Sequence, residues 1–120
     1  MGQAWVDRWS FVHAAVASLI TAGLWALHLG WWSVLVVSGL EILWEIFENN
    51  DPGIALWNAL DYTGYEGDSR SHTTVDIVIT CSSSIAVSAV AYTHGAEVAL
   101  ISAGGLSAVA AVLFVIYKVT

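Results

Sequence analysis

"GLEILWEIFENND", residues 39–51, sets three glutamates into a run that otherwise has the character of a membrane-spanning helix. Glu41, Glu45 and Glu48 follow an i, i+4, i+7 spacing. At about 3.6 residues per turn that spacing puts all three on one face of one helix. Each carboxylate near a bilayer centre costs about 2.5 to 3.5 kcal/mol on insertion scales, so something in the fold must offset the stripe.

The rest of the chain supports a membrane setting. Of 120 residues, 58% are hydrophobic, 11% are charged and three are basic, Arg8, Arg70 and Lys118. Mean hydropathy is +0.72. Soluble domains carry about a quarter charged residues, so the composition indicates an all-α polytopic membrane protein. We expect one membrane domain over residues 1–120, with no secretory signal, because a basic n-region and a small-residue cleavage site are not visible. Four apolar segments, about 9–29, 31–48, 72–93 and 96–118, approach the ~20 residues that a hydrocarbon core requires. They predict a four-transmembrane-helix bundle of two antiparallel hairpins. Between helices 2 and 3, "NNDPGIALWNAL" predicts a short interfacial helix with Asp51 as N-cap and Pro52 at N1.

This connectivity brings the amino end, the long connection and the carboxyl end to one side. All three basic residues lie there, so the positive-inside rule makes both termini cytoplasmic. Trp5, Trp9, Trp57, Tyr62, Tyr65 and Tyr117 would mark that interface, and Trp31, Trp32 and Tyr92 the other. Small residues in "CSSSIAVSAVA" and "SAGGLSAVAA" predict close helix packing. Cys81 reads as a small buried hydrophobe. His28 and His94, near the opposite turns, read as interfacial.

In this topology His13, Glu45, Glu48, His72 and Asp76 come from three helices to one layer. Asp68 and Ser69 stand just above it in the connection, and Glu41 lies about 10 Å deeper than Glu48 by helical rise. Arg8 and Arg70 are too few to neutralise these carboxylates. The group must hold protons, bind a cation or share protons through hydrogen bonds. Alternatively, some glutamates are neutral and bond neighbouring helices. His13, Glu45, Glu48, His72 and Asp76 offer mixed nitrogen and oxygen ligands for a divalent metal, suiting Zn, Mn or Fe better than Mg alone. Glu41, Asn49, Asp68 and Ser69 form a supporting polar shell, and Glu45 and Glu48 are the candidate catalytic bases.

The stretches "EILWEIFENN", "GYEGDSRSHTTVDI" and "WSFVH" resemble an uncharacterised family of small bacterial inner-membrane proteins with ExxxWExxEN and GYxGDSxxNSxxDI motifs. The spacing is also loosely similar to the VanZ-like group. The resemblance covers about residues 9–79, implies a bacterial inner-membrane location, and names Glu41, Glu45, Glu48, Asn49, Gly67, Asp68, Ser69 and Asp76 as motif residues. It carries no established activity. This chain departs from the pattern with His72 in place of Asn, Val16 where a second His is usual, and a connection without its basic residue. The last departure counts against a phosphate-bearing substrate, since anion clamps use Arg or Lys.

Three function classes follow: metal-dependent chemistry on a membrane-embedded substrate, a proton or cation transport component acting as an oligomer, and a small accessory subunit of a larger membrane complex. The lipid bilayer is the common partner. With a net charge of −7, nucleic acid is excluded as one.

Overall fold

The computed structural model describes residues 8–60 and 70–117, with side chains for 9–60 and 72–116. Five helices follow in order: α1 (Arg8–Ala26), α2 (Trp32–Glu48), α3 (Asp51–Ala59), α4 (Arg70–His94) and α5 (Ala96–Tyr117). The side chains of Arg8, Arg70 and Tyr117, and all of Trp5, Tyr62, Tyr65, Gly67, Asp68, Ser69 and Lys118, lie outside the described residues. Three helices are long and apolar enough to cross a bilayer, over Trp9–Ala26, His72–His94 and Ala96–Ile116. The stripe-bearing α2 is shorter, 17 residues, or about 26 Å at about 1.5 Å per residue.

Burial is reversed relative to a water-soluble bundle. Large apolar side chains such as Leu35, Leu43, Ile46, Ile101, Val112 and Val115 face outward, while Glu41, Glu45, Glu48, His72, Asp76 and Thr80 are buried. In water, such a surface would drive association. Against lipid it carries no penalty, and polar groups turn inward to find partners. This is the organisation of a membrane protein.

α1 and α4 form the centre: both touch α2 on one side and α5 on the other. Ala22 of α1, Val87 and Ala91 of α4, and Ala99 and Ala103 of α5 make the main apolar cluster. Its small side chains let the helices approach closely, as expected. Along α4 every fourth residue from His72 through Asp76, Thr80 and Ser84 to Ser88 is polar and buried. Two of these rungs bond to α1. Thr21 Oγ1 and Ser84 Oγ are 2.7 Å apart, and Trp25 Nε1 donates to Ser88 Oγ at 2.9 Å. Ser38 Oγ of α2 lies 3.2 Å from Cys81 Sγ, so Cys81 is a half-buried contact rather than a fully buried hydrophobe. Each such bond contributes about 0.6 kcal/mol on average in a membrane bundle.

α1 ends at Ala26, short of the residue 29 expected, because a left-handed residue closes it. His28 has φ +66°; its N–H donates to Trp25 O, and that of Leu29 donates to Leu24 O. This is a Schellman closure with histidine where glycine is usual. His28→Gly should therefore raise stability by about 1 kcal/mol, read as a higher unfolding midpoint in detergent. A lower midpoint would mean that the imidazole itself contributes. The α4–α5 turn needs only Gly95, at φ +93°.

α3 begins one position earlier than the Asp51–Pro52 reading. Asn50 is the N-cap residue, in extended conformation, and Asp51 opens the helix. The Asn50 amide is turned back to Ile46 O, which removes it from capping. α3 then folds against the end of α2 across Gly53, where a Cβ would collide with Phe47 O and stand 2.6 Å from Glu48 Cα. Backbone cannot yield as a side-chain tip does. Gly53→Ala should cost about 1–3 kcal/mol and displace Trp57, shifting tryptophan emission. Unchanged emission and stability would contradict this contact.

Candidate metal centre

His13 occupies the middle of the buried polar layer, one turn into α1. Its Nδ1 is 3.0 Å from Glu41 Oε1 and 3.0 Å from Glu41 Oε2, with hydrogen-bond geometry to the latter. Its Nε2 lies 3.3 Å from Asp76 Oδ2 and 3.9 Å from Glu45 Oε1. His72 Nε2 reaches the same Asp76 oxygen at 3.3 Å. α1, α2 and α4 thus each supply part of one cluster. Glu41 and Glu45 come together because they are one turn apart on the buried face of α2, and His72 and Asp76 because they are one turn apart on α4.

Asn49 holds one side of Glu45. Asn49 Nδ2 donates to Glu45 Oε2 at 3.1 Å and to the Glu45 carbonyl at 2.9 Å. Glu45 Oε1 is buried without a hydrogen bond. The residue is 3% exposed, so solvent does not satisfy that oxygen. Donor atoms of His13, Glu41 and Glu45 all lie within 4.8 Å of one another, a group that could hold a metal ion. Ligands about 2.1 Å from a metal stand about 3.0 Å apart at right angles and about 3.4 Å apart at tetrahedral angles. The 3.0 Å from His13 to Glu41 and the 3.3 Å to Asp76 fall in that range, and the 3.9 Å to Glu45 is longer.

Beside the cluster is a cavity of about 420 Å³ lined by residues of α1, α2, α3 and α4. Its polar side is formed by His13, Glu41, Glu48, His72, Asp76 and Thr80, and the rest is apolar or aromatic. Trp9, Trp44 and Trp57 stand together along it. The Trp9 and Trp57 centroids are 5.5 Å apart and those of Trp44 and Trp57 6.4 Å, both edge to face. Trp57 thereby joins α3 to α1 and α2.

Of the residues expected at the site, His13, Glu45, His72 and Asp76 are brought together. Glu48 is buried and lines the cavity, one turn from Glu45. Glu41, expected only as support, lies in direct contact with His13. Asn49 touches Glu45, as a supporting residue should. His28 and His94 are exposed and remote from the cluster. Sequence reasoning missed Thr80, although its place one turn beyond Asp76 marked it, and it missed the joining of Trp9, Trp44 and Trp57 around one space. Comparison with known protein families, curated proteins and solved structures finds no match for this chain.

Proposed function

We infer that this is a four-span inner-membrane protein of the bacterial family it resembles, with both termini cytoplasmic, that holds a divalent cation inside the bundle for chemistry on a membrane-embedded substrate. The single observation behind the cation is His13, whose two ring nitrogens both face carboxylate oxygens. A neutral imidazole has one N–H and one lone pair. With the N–H directed to Glu41, the lone pair at Nε2 would confront Asp76 and Glu45; a second proton on the ring or a cation between the groups removes that clash, and the mixed donor set around Nε2 favours the cation. A carboxylate–histidine pair that orients the other nitrogen is also the usual outer support of a metal ligand.

In this reading the ion lies on the Nε2 side of His13, with Nε2, Glu45 Oε1 and Asp76 Oδ2 as ligands; His72 stands beside Asp76, and Glu41, the third member of the His13–Glu41–Glu45 group, holds the imidazole from Nδ1. The mixed donor set favours Zn, Mn or Fe over Mg. A bound ion would supply Lewis acidity at the cavity wall, and Glu48, facing the cavity without entering this ligand set, is placed to accept a proton. The fourth span is supported by α2 itself, whose glutamates point inward while Leu35, Leu40, Leu43 and Ile46 point outward. Transport is the weaker reading: Thr21, Ser84, Trp25 and Ser88 bond to one another across α1 and α4, which closes the polar column beyond the cluster.

Metal analysis of protein purified without added metal, beside Glu45→Gln, tests the cation. Wild type should carry about one equivalent per chain, and the variant should lose most of it, because a neutral amide is a far weaker ligand than a carboxylate. Equal content in both, or none in either, would count against the site.

A further inference from the structure

The cavity has a side entrance. Val16 and Ile20 of α1 and Leu40 and Trp44 of α2 line it, yet all four are exposed on the apolar outer face. α1 packs chiefly on α5 and α4 and much less on α2, so the opening falls between α1 and α2, where lipid would lie. Its volume falls within the about 300–1,000 Å³ of small-molecule sites. Its walls suit an apolar body that enters from the bilayer.

The inner end sets the head group. Glu41, Glu48 and Asp76 line the cavity, and no Lys or Arg does among the described residues. Thr80 supplies an independent mark of a missing ligand. It is 3% exposed, lines the cavity and has no hydrogen-bond partner at Oγ1. Helical hydroxyls here usually bond back to the carbonyl four residues earlier, as Ser18, Thr93 and Ser107 do; Thr80 does not. A buried hydroxyl left this way is costly, and a ligand donor beside it would remove the cost. Tryptophan faces attract cations as well.

We propose that the cleft between α1 and α2 binds a lipophilic ammonium compound. Its charged nitrogen donates to Thr80 Oγ1 and the carboxylates of Glu41 and Asp76, and its apolar body lies between Ile20, Leu40 and Trp44. This does not rest on the metal reading. The cavity lining has carboxyl groups and, among the described residues, no Lys or Arg, so an anionic head has no basic side chain to meet there.

The test uses the whole protein in nanodiscs of zwitterionic lipid, with empty nanodiscs as the partition control. 4-Phenylbutylammonium, 4-phenylbutanol and 4-phenylbutanoate are titrated calorimetrically, and Mn²⁺ is titrated separately. The ammonium should saturate and bind at least about ten-fold tighter than the alcohol, with the carboxylate weakest. Thr80→Val, nearly isosteric, should weaken the ammonium about three- to ten-fold and the alcohol less. Trp44→Leu, on the exposed rim, should weaken it similarly. Equal affinity for all three probes, no saturation, or no response to either substitution overturns the proposal. Mn²⁺ binding without ammonium preference overturns it and leaves the metal site standing. Ammonium preference without Mn²⁺ binding supports it and removes the metal.

Discussion

Replacing His13 with alanine should destabilise the protein by about 3–5 kcal/mol, the range for breaking one side of a buried charged network. His13 is half-buried and has Glu41, Glu45 and Asp76 within 4 Å of its ring nitrogens. Its removal leaves three carboxylates from two helices facing one another across an emptied space. The loss should be strongly non-additive. Adding Glu41→Gln and Asp76→Asn to His13→Ala should recover part of it, because the charges that required compensation are gone. Unfolding midpoints of the wild type, His13→Ala, Glu41→Gln with Asp76→Asn, and the three changes combined, all in one detergent, measure this. A small loss in His13→Ala, or a further loss on adding the two amides, would mean that the imidazole does not hold the carboxylates together.

The second large effect is that of metal removal. A ligand bound at about 1,000 times its dissociation constant contributes about 4 kcal/mol to the folded state. Chelation should therefore lower the unfolding midpoint of the wild type by several degrees. Metal binding releases protons from its ligands, so metal competes best where protons are scarce, and the chelator effect should grow with pH. Glu41→Gln combined with Glu45→Gln should blunt it, since two of the charges needing compensation are neutral. Equal chelator responses in wild type and double variant would leave proton sharing as the account of the layer.

The helices were legible because apolar runs broken at Gly30, Gly95 and Asn49 leave few ways to divide the chain. The layer was legible because helical rise alone sets depth: His13 near the start of α1, Glu45 near the end of α2 and Asp76 near the start of α4 must share a level if the helices antiparallel one another. Rotation about each helix axis was not legible. Rise places Glu41 about 10 Å deeper than Glu48 but does not say that His13 turns toward Glu41 rather than Glu48. Thr80 shows the same limit, since a threonine in an apolar run satisfies its hydroxyl on its own helix unless packing prevents it. His28 was illegible for another reason. Histidine carries no signal for left-handed backbone comparable to that of glycine, so the early end of α1 had no mark in the residues around it.

In the proposed site His13 coordinates a cation within the bundle through Nε2. Pulsed electron paramagnetic resonance of Mn²⁺-loaded protein tests it directly, because a coordinated imidazole adds nitrogen modulation to the electron spin echo, which water and carboxylate ligands cannot supply. Wild type should show imidazole nitrogen modulation that is lost or strongly reduced in His13→Gln. Bound Mn²⁺ whose echo is the same in both proteins, or no Mn²⁺ held by the wild type, would contradict the claim.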